Sequence, residues 1–200
     1  MVVGVVGGIA SGKTLVAAEL ARLGASVWDA DGAGHAVLRQ EDVRHAVVAR
    51  WGSAVLGRDG QIDRQAVARI VFAPPPSGPT ELEFLEQWTH PRIELLLRRQ
   101  LARLARRGVQ VAVLDAAVMI EAGWDRLCGK IVFVDTPRAT RLARCRQRGW
   151  TEQEFARREA AQEILEMKRA RADLMIDNSG SVESTRCQIE RFWRAVVPSA

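Results

Sequence analysis

The sequence predicts an α/β fold with three layers: a parallel five-stranded sheet covered by helices on both faces. Three observations predict it. Short apolar runs rich in Val or Ile recur at 2–6, 26–29, 109–115, 130–135 and 174–177, each bounded by Gly, Asp or charge. Helical patterns fill most of the intervals, and such alternation argues for parallel strands joined by crossovers. The first run also passes straight into a glycine-rich loop and then a helical pattern, which is the local order of a phosphate-binding βα unit.

The first strand, Val2 to Val6, is followed by Gly7-Gly8-Ile9-Ala10-Ser11-Gly12-Lys13-Thr14, a match to G-x-x-x-x-G-K-[ST] at every position. Glycines permit a backbone loop whose N–H groups converge on a phosphate. Lys13 adds a mobile positive charge near the β- and γ-phosphates, and the Thr14 hydroxyl is a ligand for Mg²⁺. Leu15, Val16, Ala18, Leu20 and Leu23 then follow a helical pattern that stops at Gly24. The positive end of that helix points at the nucleotide. Residues 7–15 are therefore the expected nucleotide-binding segment.

The interval 31–108 is too long for one crossover and is expected to hold a helical insertion. Ala73-Pro74-Pro75-Pro76-Ser77-Gly78-Pro79 breaks it into two parts. Ile93, Leu96, Leu97, Leu101 and Leu104 mark a helix ending at Gly108. Pro91 disfavours helix at His90 and is a natural helix start. No internal repeat is present, and the proline loop is too short to link independent domains.

In open α/β sheets, ligands bind at the carboxyl ends of the strands. Trp28-Asp29-Ala30-Asp31 ends the second strand and Asp115 ends the third. Phosphoryl transfer to an alcohol needs a carboxylate to accept the hydroxyl proton and another to help hold Mg²⁺, directly or through water. Asp29, Asp31 and Asp115 have that chemistry in that place. Asp29 also suits a cap or turn residue.

Composition narrows the remaining choices. Hydrophobic residues make up 48% and charged residues 26% of the 200, as in globular chains. No apolar run has the length of a membrane span, and the N-terminal run lacks the basic flank of a signal peptide. The three cysteines, Cys128, Cys145 and Cys187, are scattered and suit a reducing cytosol. The net charge is +5, and all the cations except Lys13, Lys130 and Lys168 are arginines. They spread along helices and cluster at 138–148 and 157–171, which fits an anionic small substrate as well as nucleic acid. Arg141, Arg144 and Arg148 share one helix face, a stripe able to close over a nucleotide as a lid.

Strand, phosphate loop and helix followed by Asp29-Ala30-Asp31 resemble the dephospho-coenzyme A kinase family, and further segments agree in order. Gly60-Gln61-Ile62-Asp63-Arg64 with Ile70-Val71-Phe72 is similar to its turn and helix. Leu85-Glu86-Gln87-Trp88-Thr89-His90-Pro91-Arg92-Ile93 matches its L-E-x-x-x-H-P-x-[IV] block. Asp115 to Glu121 lies where the family has D-x-P-L-L-F-E, although Ala117-Val118-Met119-Ile120 departs from the P-L-L-F core. Arg158-Glu159-Ala160-Ala161-Gln162 with Lys168 resembles its R-I-x-x-Q…K segment. Ala172-Asp173-Leu174-Met175-Ile176-Asp177-Asn178-Ser179-Gly180 resembles its A-D-x-x-I-D-N-x-G ending.

The resemblance implies a P-loop kinase fold with a helical acceptor-binding insertion at about 60–108 and a helical lid at about 138–170. It implies ATP-dependent phosphorylation of the 3′-hydroxyl of dephospho-coenzyme A, the last step of coenzyme A biosynthesis, in the cytoplasm. The roles follow by position. Gly7, Gly8, Ile9, Ala10, Ser11, Gly12, Lys13, Thr14 and Leu15 bind ATP, and Asn178 contacts its adenine or shapes the turn before the last helix. Thr14 and Asp115 hold Mg²⁺. Asp31 is the base, assisted in catalysis by Lys13 and by Arg144 and Arg148 from the lid. Asp29, His90, Pro91 and Glu121 contact the acceptor. No nucleic-acid or membrane partner is expected. On the residues alone two alternatives stay open: another small-molecule P-loop kinase, and a non-catalytic P-loop protein that binds nucleic acid through its arginines. The Asp29/Asp31 pair and the His90-Pro91 block speak against the first.

Overall fold

The computed structural model describes residues 1–161 and 165–197, the Asp31 side chain excepted. Five strands, β1 (Val2–Val6), β2 (Ser26–Asp29), β3 (Ala112–Asp115), β4 (Lys130–Asp135) and β5 (Leu174–Asp177), form one sheet in the order β2-β3-β1-β4-β5. Every pairing is parallel. The helices are α1 (Lys13–Arg22), α2 (Ala30–Leu38), α3 (Glu41–Trp51), α4 (Arg64–Val71), α5 (Ser77–Arg106), α6 (Arg138–Gln147), α7 (Glu152–Ala160), α8 (Leu165–Ala170) and α9 (Val182–Val196).

The chain divides into two compact units, one of Met1–Ala30 with Arg99–Ala200 and one of Asp31–Arg98. In the first, alternate sheet positions face opposite ways. Val3, Val5, Val113, Val132, Val134 and Ile176 pack with Val16, Ala17 and Leu20 of α1 and with Ile189 and Phe192 of α9. On the other face, Gly4 lies under the segment after β3. A Cβ there would come within 2.6 Å of Met119 Sδ and 2.9 Å of Cys128 Sγ, so the close approach requires glycine.

The second unit is helical. In it, Trp51 donates from Nε1 to Glu81 at 2.6 Å and meets Phe84 edge-on, while Arg50 forms a two-pronged pair with Glu81. Arg92 likewise gives Nε and Nη2 to Asp42 Oδ2, at 3.2 and 2.6 Å.

Three local expectations are corrected. The third strand begins at Ala112 rather than 109, because Gly108 adopts φ +70° and the Val109 amide turns back to the Leu104 carbonyl. The proline loop ends before Ser77, leaving Gly78 and Pro79 in the first turn of α5, where a missing N–H is tolerated. Pro91 does not start a helix but sits inside the 30-residue α5. Thr89, Ile93, Leu97 and Leu104 form one buried stripe through it. Around the break, Thr89 Oγ1 donates to the Leu85 carbonyl at 2.8 Å and Arg92 Nη1 to the Trp88 carbonyl at 2.8 Å.

Candidate active site

The loop after β1 is shaped by its own backbone and by donors from three neighbouring segments. The Ser11 amide donates to the Gly8 carbonyl at 3.1 Å, and Ala10 and Gly12 take φ of 58° and 101°. The positive φ at Gly12 is open to glycine, and a Cβ there would run into the Asn178 amide. The Ser11 carbonyl accepts from Thr136 Oγ1 at 2.8 Å, Asn178 Nδ2 at 2.7 Å and Arg144 Nη1 at 3.1 Å. These donors come from the ends of β4 and β5 and from α6. The loop is therefore fixed before any ligand arrives.

Lys13 opens α1, whose first turn carries no acidic residue, so the positive helix end is left for an outside anion. Its Nζ donates to the Gly7 and Gly8 carbonyls at 3.1 and 3.2 Å. The ammonium thus lies against the loop it serves and can exchange these carbonyls for phosphate oxygens. Thr14 is exposed in the same turn and Leu15 half-buried behind it.

Beside the loop stand the strand-end carboxylates. Asp115 is in register with Val5 on one side and with Asp29 on the other. Asp29 and Asp115 are therefore direct neighbours on adjacent strands, with their backbones about 5 Å apart. Thr14 carries a hydroxyl and Asp115 a carboxylate, hard oxygen donors of the kind Mg²⁺ takes. The Asp31 side chain lies outside the described residues; its backbone belongs to the first turn of α2.

The arginine stripe divides. Arg141 is buried and donates to the Thr136 carbonyl at 3.2 Å and to Glu159 at 2.7 Å, with its guanidinium 5.5 Å from the Phe155 ring. Arg144 reaches the Ala10 and Ser11 carbonyls at 3.1 Å and the Asn178 carbonyl at 3.2 Å. Arg148 caps the end of α6 and is exposed.

Asn178 is buried, and its amide is engaged on both ends, donating to Ser11 and accepting from Thr185 Oγ1 at 3.0 Å. It supports the loop from below. Glu121 pairs through Oε1 with Lys168 Nζ at 2.7 Å. His90 is half-buried and Pro91 exposed in α5 of the helical unit.

Sequence reasoning passed over Thr136 and Thr185, and it named Lys168 only as part of the match to the family's R-I-x-x-Q…K segment, with no role. Thr136 directly follows the end of β4, so a search of every strand end for hydroxyls as well as acids finds it. Burial pushes the Cys128 thiol up to about 12, which leaves it protonated and unreactive near neutrality.

A parallel sheet, a fixed phosphate loop at its carboxyl edge, a loop lysine, neighbouring carboxylates and arginines folded onto the loop define a P-loop kinase. A family model for dephospho-CoA kinase matches residues 1–184. The chain is 40% identical over 199 residues to the dephospho-CoA kinase of Geobacter sulfurreducens, covering 98% of this chain and 99% of that one. It is also 40% identical over 199 residues to the enzyme of that name from Symbiobacterium thermophilum, covering 97% and 80%. A crystal structure from Thermus thermophilus superposes with a TM-score of 0.80 at 32% identity, covering 98% of each chain. The chain belongs to the dephospho-CoA kinase family, kinases that transfer phosphate to an alcohol in the final step of CoA biosynthesis.

Proposed function

We propose that this chain transfers the γ-phosphoryl group of ATP to the ribose 3′-hydroxyl of dephospho-coenzyme A, releasing coenzyme A and ADP. The observation that carries the reading is the placement of Asp115 on the strand next to the one that feeds the phosphate loop, with Asp29 in register one strand further out. Acid groups at that edge serve an acceptor hydroxyl and a metal-bound nucleotide, whereas the loop alone serves any nucleotide.

The loop amides and the Lys13 ammonium hold the ATP phosphates. Asp31 accepts the proton of the 3′-hydroxyl as its oxygen bonds to the γ-phosphorus. The bond from that phosphorus to the bridging oxygen breaks, and the electron pair leaves with ADP. Lys13 and Arg144 offset the charge that spreads over the transferring group, with Arg148 brought in when the lid, about 138–170, closes. Thr14 and Asp115 would hold Mg²⁺, which neutralises phosphate charge and orients the γ-phosphoryl. His90, Pro91, Asp29 and Glu121 would contact the acceptor. The reaction runs in the cytoplasm and involves no nucleic acid.

The test is ADP release with dephospho-coenzyme A, a nucleoside or nucleic acid as the added component, with mass and NMR analysis of the product. Turnover dependent on dephospho-coenzyme A, with phosphate on the 3′-oxygen, supports the reading. Preference for another acceptor rejects it. Lys13→Ala should remove turnover from a folded protein.

A further inference from the structure

Lys168 is fully buried in α8, at the far end of the lid range of about 138–170, and has no role in the chemistry above. Its Nζ donates to the Ala117 carbonyl at 2.9 Å and pairs with Glu121 Oε1 at 2.7 Å. One ammonium therefore grips both ends of the turn 117–121, and that turn begins two residues after Asp115. The rest of the turn is anchored by burial of Ala116, Met119, Ile120 and Trp124 and by the bond from the Trp124 amide to the Met119 carbonyl at 2.8 Å.

Apolar burial already fastens the segment to the sheet, so a lysine is not needed for attachment. A buried ion pair is also a poor source of stability: apolar residues of similar size are often as good or better. What an ammonium adds is direction. It fixes one carbonyl and one carboxylate at set distances, and so fixes the path by which the chain leaves Asp115.

The geometry points to Lys168 as a positioning residue that sets the orientation of the Asp115 carboxylate toward the metal–nucleotide. The inference rests on the reading of Asp115 as a metal-holding group. Lys168 lies behind the site and acts through the turn, as groups that orient metal ligands do.

The experiment uses Mn²⁺ in place of Mg²⁺ and reads bound Mn²⁺ by electron paramagnetic resonance in the presence of ATP, with no acceptor. Metal-free ATP binding and thermal melts run in parallel. The variants are Lys168→Met with Glu121→Met, which replaces the pair by apolar residues, and Lys168→Gln, which keeps a donor. The double variant should melt close to the parent and bind metal-free ATP as well. Its Mn²⁺–ATP affinity should fall by roughly 10–100-fold, the usual effect of losing an outer-shell partner. Lys168→Gln should fall in between. Asp115→Asn should show a comparable loss alone and little more in the double variant, because both act on one group.

Parent-like Mn²⁺ affinity in the folded double variant or in Lys168→Gln overturns the inference, as does a fully additive loss with Asp115→Asn. A silent Asp115→Asn overturns it from the other side, by removing the metal role on which it rests. Failure of dephospho-coenzyme A turnover would strike only the proposed reaction and leave the Mn²⁺ result standing.

Discussion

Asn178, the residue after β5, and Ser11, in the phosphate loop, are joined by an Nδ2–H···O=C bond of 2.7 Å. The same amide accepts from Thr185 in α9, so the loop is coupled to the last helix through one side chain. Asn178→Ala should destabilise the protein by about 1–3 kcal/mol, the range for an emptied buried partner. If about half of that is felt in the loop, ATP affinity falls by roughly 2–10-fold. Asn178→Asp should be worse, because a carboxylate cannot donate to the Ser11 carbonyl. Calorimetric titration with an ATP analogue, beside thermal melts, checks both; unchanged ATP affinity in Asn178→Ala would mean the bond is dispensable.

The two aspartates after the second strand separate by chemistry. Asp31→Asn keeps the shape and removes the base, so kcat should drop by about 10²-fold or more while ATP affinity stays near that of the parent. Asp29→Asn should act more on the acceptor KM. Steady-state kinetics in both substrates decide it. A crippled Asp29→Asn with a mild Asp31→Asn would reverse the assignment.

Arg144 and Arg148 lie on one face of the sequence pattern, and Arg144 reaches the loop, at 3.1 Å to Ala10 and Ser11, while Arg148 is exposed at the end of α6. Arg144→Ala should lower kcat by roughly 10–100-fold with a smaller change in the dephospho-coenzyme A KM, the signature of transition-state stabilisation. Arg148→Ala should act in the same direction and less strongly, and Arg106→Ala, on an exposed helix end, should be silent. Three equal, modest effects would reduce the stripe to surface charge.

Glu19 accepts from Arg22 and Arg186, each at 2.8 Å, and so links α1 to α9. The hydrogen bonds from Arg22 and then Arg186 hold its carboxyl below the ordinary value of 4.5. The unfolded chain then takes up the proton first as pH falls. The stabilisation is present above about pH 4.5 and is lost through the lower folded value. Melting temperatures of the parent and Glu19→Gln should differ near neutrality and converge in acid. A gap that stays constant down to about pH 3 would contradict this.

The sheet was legible because its strands are short apolar runs cut off by aspartates, and Asp29, Asp115, Asp135 and Asp177 each end a strand. The phosphate loop was legible because its glycines and lysine are demanded by backbone geometry. The helix through Pro91 was not. Local steric preference favours a start there, and what overrides it is a buried stripe from Thr89 to Leu104 that appears only when the neighbouring helices are in place. Thr136 and the role of Lys168 were missed for a related reason: each acts by touching a residue far away in sequence, while Thr185 meets Asn178 across the turn between β5 and α9. No periodicity signals a hydroxyl aimed at the Ser11 carbonyl across the loop, or a lysine turned inward to Ala117.

The strand order carries a consequence for how the protein is made. β1 has β3 and β4 as its neighbours, so Val2 meets its first partner only at Ala112. During synthesis the glycine loop emerges well ahead of Ala112 and has no strand beside β1 to hold it until the helices of residues 31–98 have already been made. A chain stalled before Ala112 carries the full nucleotide signature and none of the pairing that shapes it. Parallel pairing over such a span is slow to close. The ability to hold ATP is thus acquired late and at once, when β3, β4 and β5 arrive and the Ser11 carbonyl finds its donors.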